Sequence, residues 1–266
     1  MARVRKGMTM TSELSRRDAL RALSLSAAGT SLLAPSASAQ EAAPAAAENP
    51  AGICVLLPQA VEGPYYFDPK LVRADISEGK EGAPVELKLR VVDAKSCQPI
   101  TGIRVDVWHA DAGGIYSGYD RQGDDRTLST KGQTYLRGTL MTDADGIATF
   151  RTIYPGWYPG RTPHIHVKAF LDKATLVTGQ IYFPDELSAR VYSERLPYSK
   201  RPVPDTTNAR DGIFRAGEAE GGGTVLAVSE AGDAINAALL IGVDQTGEAA
   251  KKGGGFGGFF RRIIGG

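Results

Sequence analysis

A rhythm of two runs through this chain and constrains it more than any other feature. "VELKLRVVD" (85–93), "IRVDVWHAD" (103–111), "TYLRGTLMTD" (134–143), "GIATFRTIY" (146–154), "HIHVKAF" (164–170) and "LVTGQIYF" (176–183) each set apolar residues against polar ones in alternation. Successive side chains of an extended strand point to opposite faces, so this pattern builds strands with one apolar face; wound as a helix it would scatter the apolar residues round the axis. "GTVLAVSE" (223–230) and "INAALLIGVD" (235–244) read as two further strands. Turn signals separate them, and Asp143-Ala144-Asp145-Gly146 reads as the turn of a hairpin with Gly at a positive-φ position. Only "DELSARVYSE" (185–194) reads as a short helix, with Asp185 as its cap. Short strands with regular punctuation predict an all-β, antiparallel sandwich with few helices and long loops.

The ends read differently. Residues 1–39 open with basic residues, continue through an apolar run from Ala22 to Ala34, and close on Ala37-Ser38-Ala39. That is the pattern of a secretory signal, too short and too flanked by small polar residues to span a membrane stably. Arg16-Arg17, just ahead of the apolar run, resembles a twin-arginine export address, which implies a periplasmic or extracellular product. Residues 40–52 read as a linker, 53–245 as the folded domain, and 246–266 as a low-complexity Gly-rich tail. The formal charge of +1 belongs to the address: without residues 1–39, 25 basic and 28 acidic residues leave −3. Nothing there supports a nucleic-acid partner. Oligomeric state is not legible, and a homo-oligomer stays open. The two cysteines, Cys54 and Cys97, both flank the start of the folded region, and in an exported chain the expectation is that they form a disulfide.

Chemistry concentrates in "YPGRTPHIHVKAF" (158–170). On a strand His164 and His166 face one way and Ile165 the other. Alone, such a pair is either two packed core side chains or two metal ligands. Tyr158 precedes it across a Pro/Gly-rich loop, and Tyr116 and Tyr119 lie in the loop after an earlier strand. A phenol ionises near pH ~10, so a tyrosinate ligand needs a strongly charged ion. Hard oxygen anions and imidazole together suit ferric iron better than zinc or copper, and two phenolates with one hydroxide neutralise three positive charges.

"LPQAVEGPYYFDP", "DVWHADAGGIYSGYD", "TDADGIATFRTIYPGWYPGRTPHIHVKAF" and "TGQIYFPDE", in this order of loops, resemble the intradiol ring-cleavage dioxygenases over roughly residues 53–245, most closely the protocatechuate-type catalytic chain and secreted relatives. The resemblance implies a prealbumin-like sandwich and a non-haem Fe(III) held by Tyr116, Tyr158, His164 and His166. It implies active-site roles for Arg161 and Gln180, and a Tyr158 that gives way to substrate. The implied reaction is cleavage of a catechol-type diol by O2 to a cis,cis-muconate. Two departures stand out: the loop "PGRTP" is short for the family, and nothing after Ala39 resembles the helical N-terminal region of enzymes acting on unsubstituted catechol.

Other readings remain. "VELKLRVVDAKSCQPITGIRVDVW" with "TDADGIATF" also resembles transthyretin-like and carboxypeptidase-associated modules, which bind partners and hold no iron. A copper or zinc site using the histidines alone is a third. His109, Trp108 and Trp157 read as packing residues, and "DADG" as a turn, since the further acidic positions of a calcium loop are missing.

Overall fold

The computed structural model describes residues 54–248. The expected signal segment (1–39), linker (40–52) and all but the first three residues of the expected tail (246–266) lie outside the described residues. Within them run β1 (Pro84–Asp93), β2 (Arg104–Trp108), β3 (Arg137–Met141), β4 (Ile147–Ile153), β5 (His164–Leu171), β6 (Ala174–Tyr182), α1 (Asp185–Glu194), α2 (Gly212–Ala219), β7 (Ala227–Ala231) and β8 (Ala234–Val243). The strands form two four-stranded sheets, ordered β4-β1-β8-β7 and β3-β2-β5-β6. All pairings are antiparallel except that of β1 with β8, which runs parallel. The all-β sandwich read from the alternation is the fold found.

The inner faces meet in one apolar core. Val85, Leu87, Leu89 and Val91 of β1 and Ile235, Ala237 and Ile241 of β8 face Val105, Val107, Ile165, Val167 and Ile181 from the other sheet. Each such side chain contributes about 1.5–3 kcal/mol on burial, which fixes strand register, because a one-residue slip would turn the whole set outward. The first sheet keeps a wetter outer face, as β1's alternating burial shows. The second does not: β2 is buried at four consecutive positions, as is β5 at its start. Its outer face is therefore covered as well, and the cover positions the site.

That cover is the arm between Cys54 and Asp68. It begins at a disulfide to Cys97, with Cα atoms 5.5 Å apart, as the sequence led one to expect. It then crosses the second sheet strand by strand. Ala60 N–H donates to Thr178 O on β6 (2.8 Å), Glu62 pairs with Lys168 on β5, and Tyr66 Oη donates to Asp106 Oδ2 on β2 (2.8 Å). Arg104 then grips Asp68 at 2.6 Å.

Three sequence readings need correction. β3 and β4 do not form a hairpin; they lie in different sheets, and the Asp143–Gly146 turn carries the chain between them. The turn itself is as expected, with Gly146 at φ 73° and Asp143 Oδ1 accepting from Asp145 and Ile147 N–H. Alternation marks a strand but not its partner. "GTVLAVSE" is likewise not one strand: Thr224 and Leu226 bond to Tyr182 at the edge of β6, and only Ala227–Ala231 joins the first sheet. Asp185 is the first residue of α1, not its cap, and its Oδ1 accepts from Asn208 N–H instead.

Candidate metal centre

The register of the second sheet places Arg137 of β3, Trp108 of β2, His166 of β5 and Gln180 of β6 side by side in one row across its covered outer face. His164 lies one pleat further along β5, opposite Tyr182. As period two requires, both imidazoles share this face, with ring centroids 4.9 Å apart, while Ile165 enters the core.

The tyrosines arrive from loops. Tyr158 sits in a tight turn: Arg161 N–H donates to Tyr158 O at 3.1 Å, and Gly160 takes φ 78°, a left-handed value that favours glycine. The shortness of "PGRTP" thus places Tyr158 and Arg161 against each other. Tyr116 follows β2 in a loop held by Gln122 Oε1 on its N–H (3.0 Å) and Thr130 Oγ1 on its carbonyl (2.6 Å). Tyr158 Oη lies 3.2 Å from His164 Nε2, and Tyr116 Oη 3.2 Å from His166 Nε2. The two phenol rings stand 5.8 Å apart, edge to face. Tyr119 is not in this group; its hydroxyl donates to Tyr66 O at 2.8 Å.

The protonation states suit a cation. His164 Nδ1 is 2.7 Å from Thr162 O, a group that only accepts, so the proton sits on Nδ1 and the Nε2 lone pair faces Tyr158. His166 is stacked on Trp108 at 4.7 Å and 13°, and among the described residues its buried Nδ1 has no hydrogen-bond partner. Burial, and then the charge of Arg161, hold both imidazoles well below the ordinary histidine range, so both are neutral at pH 7. Burial raises both phenols, Tyr116 furthest. A highly charged ion would oppose that rise, because it lowers the pKa of whatever oxygen it binds.

Whether the set fits an ion is a matter of spacing and donor type. Donors bound about 2 Å from a common metal lie about 3 Å from one another; both Tyr–His pairs meet that spacing. Among the described residues no three His, Cys, Asp or Glu side chains gather as a metal site, so the phenols are indispensable to the set. Two hard oxygens and two imidazoles suit iron.

Arg161 closes one side. Its Nη2 donates to Gln180 Oε1, its Nη1 lies 3.4 Å from Tyr158 Oη, and its Nε donates to Asp211 Oδ2 at 2.8 Å. Asp211 is fully buried and also accepts from Thr162 N–H and, through Oδ1, from Ile213 and Phe214 N–H at the start of α2. Asp211, Thr162, Tyr182 (Oη to Gln180 Oε1, 3.1 Å) and Tyr65, stacked on Tyr116 at 4.6 Å, were not singled out from the sequence. Asp211 carried a signal, since Asp directly before "GIFRAGEA" is a helix-start signature. The packing readings stand: His109 is buried between Ala110 O (2.8 Å) and Thr152 Oγ1 (2.7 Å), and Trp157 lies under Arg201.

Comparison with known proteins follows the same lines. A dioxygenase family model matches residues 61–191. Catechol 1,2-dioxygenase 1 of Acinetobacter lwoffii is 28% identical over 158 residues, 51% of this chain and 49% of that protein. The protocatechuate 3,4-dioxygenase beta chain of Burkholderia cepacia is 36% identical over 124 residues, 40% of this chain and 49% of its own length. The chain thus spans about half the length of these curated relatives. Among solved structures, an intradiol ring-cleavage dioxygenase from Tetranychus urticae superposes with a TM-score of 0.65 at 30% identity, over 72% of this chain and 95% of that one. With the sandwich, the loop order and a likeness that runs through nearly all of a solved relative, the chain belongs to the intradiol ring-cleavage dioxygenase family.

Proposed function

We propose that the protein is a ferric intradiol dioxygenase that cleaves a catechol-type diol with O2 between its two hydroxyl-bearing carbons, giving a cis,cis-muconate. The reaction is balanced as written: both oxygen atoms of O2 enter the product. The observation that carries the reading is the convergence of Tyr116, Tyr158, His164 and His166 in two 3.2 Å pairs on a buried sheet face. These four would hold Fe(III), whose Lewis acidity draws electron density from the bound diol and makes its ring reactive toward O2. The non-enzymatic sandwich reading explains the fold but gives no reason for that convergence.

The chain's own groups then have distinct tasks. The Thr162 carbonyl fixes the His164 tautomer, and both imidazoles are buried, with Gly63 of the arm close against His166. Tyr158 takes up, at its phenolic oxygen, one of the two protons the diol loses. Arg161 Nη1 lies beside that oxygen, and its guanidinium stabilises negative charge that develops on the ring. Gln180 and Asp211 hold Arg161 from two sides, so it points into the site before substrate arrives. Among the described residues no helix is long and apolar enough to cross a membrane. The Cys54–Cys97 bridge and the twin-arginine-like segment support export to an oxidising compartment.

The test is oxygen uptake by iron-loaded protein on catechol, protocatechuate and hydroxyquinol, with the product followed by ultraviolet absorbance. Uptake of one O2 per diol with a muconate product is expected for at least one of them. A protein that binds iron and consumes no O2 with any of the three would refute the proposal.

A further inference from the structure

Arg137 is the least expected charge in the molecule. It is 1% exposed, and the titratable groups around it are three neutral phenols, those of Tyr119, Tyr116 and Tyr135, rather than a carboxylate. Burial draws its pKa down to about 10, which still leaves it cationic at neutral pH. Among the described residues its Nη1 has no hydrogen-bond partner. The other two donors are spent on a single residue: Nε donates to Ser117 Oγ and Nη2 to Ser117 O, each at 2.8 Å. Ser117 directly follows Tyr116, and its own hydroxyl donates to Tyr135 O at 2.7 Å.

The surroundings are shaped to hold this side chain. The guanidinium lies 4.3 Å over the ring of Phe67, and Phe67 packs so closely on Gly118 that a Cβ there would meet its Cε1 at 2.2 Å. The preceding residue, Leu136, is fully buried yet left-handed at φ 57°, a strained conformation for leucine. It is kept there by Leu136 N–H to Ile76 O and His109 N–H to Leu136 O. A two-pronged clamp on the residue next to Tyr116, set in the row that holds His166, serves the phenol that the loop carries.

We propose that Arg137 is a positioning residue for Tyr116: through Ser117 it clamps the loop that carries this phenol, and so sets where the phenolic oxygen that would bind iron stands beside His166. The inference rests on the ferric reading above. Arg137 thus keeps the Tyr116 hydroxyl in reach of His166 Nε2, and with it favours metal retention.

The experiment compares iron-loaded wild type with Arg137→Met, Arg137→Lys and Ser117→Ala, measuring iron retention against a chelator, the visible phenolate-to-iron band, and thermal stability. Leu87→Ala, in the other sheet, controls for destabilisation alone. Arg137→Met should lose roughly 10–100-fold in iron affinity and shift the band. Arg137→Lys, which keeps charge but not both Ser117 bonds, and Ser117→Ala, which keeps the cation, should each lose less. If Arg137→Met does not fold, a band shift in these last two carries the test. A coloured wild type whose variants match it in band and affinity overturns this proposal and leaves the ferric reading intact. A colourless, iron-free wild type overturns the ferric reading and this proposal with it.

Discussion

Replacing Asp211 tests how the site is supported. Its carboxylate, with no exposed surface, serves two masters: Oδ2 takes Arg161 Nε (2.8 Å) and Thr162 N–H (3.1 Å), and Oδ1 takes Ile213 N–H (2.8 Å) and Phe214 N–H (3.2 Å). Asp211→Asn keeps an oxygen for the two helix amides, and Asn caps helices as well as Asp does. What it removes is the negative charge opposite Arg161, and it presents an amide N–H₂ to a group that only donates. Breaking one half of a buried ion pair costs about 3–5 kcal/mol, because the other charge is left uncompensated; Arg161's side chain is only 17% exposed, so solvent offers little relief. Asp211→Ala adds the loss of the cap, about 1 kcal/mol more. Against a total stability of about 5–15 kcal/mol these are large effects. Urea denaturation of the three proteins should show Asp211→Asn losing about 3–5 kcal/mol and Asp211→Ala about one further. A loss under about 1 kcal/mol for Asp211→Asn would mean that Arg161 is held by other contacts, and the reasoning would fail.

Other outcomes follow from the same contacts. Tyr119→Phe should leave the phenolate-to-iron band of iron-loaded protein unchanged while Tyr116→Phe diminishes it; the reverse would move the ligand assignment three residues along the loop. Burial pulls His109 down to about 4. A neutral histidine of that kind adds stability in full above pH ~6.5, where the unfolded chain is also neutral, and that stability is lost as pH falls toward 4. The loss amounts to about 3 kcal/mol, and a His109→Gln variant should lack this part of the slope in stability measured from pH 7 to 4. Removing the Cys54–Cys97 bridge, which spans 43 residues of sequence, should cost about 4 kcal/mol by chain entropy, measured as the denaturation midpoint of a double Cys→Ala variant. A midpoint unchanged from wild type would show that the arm is held by its hydrogen bonds and packing without the bridge.

Much of this molecule is legible in its sequence because strands and strand faces obey a period of two. The alternation exposes the core face of β1, and the same rule puts His164 and His166 together without any coordinates. Pairing is another matter. β1 joins β8 in parallel across most of the chain, and β3 parts from β4 at a turn whose local chemistry suits a hairpin. Such choices are made by the sum of the packing, which no short window contains. The site divides the same way. Tyr116, Tyr158, Arg161 and Gln180 were nameable because recognisable sequence motifs carry them. Asp211 lies 50 residues from Arg161 in a segment without strand rhythm, and Arg137 reads in "YLRGTLM" as one more polar residue on a wet face. The arm from Cys54 to Asp68, folded across the sheet, helps turn that face into an interior, with Phe67 against the Arg137 guanidinium.

Resonance Raman spectroscopy of the iron-loaded protein, excited in its visible band, addresses the central idea most directly. Two sets of tyrosinate modes should appear, one lost in Tyr116→Phe and the other in Tyr158→Phe. A spectrum with no tyrosinate modes, from protein that demonstrably contains iron, would contradict the assignment of these phenols as its ligands.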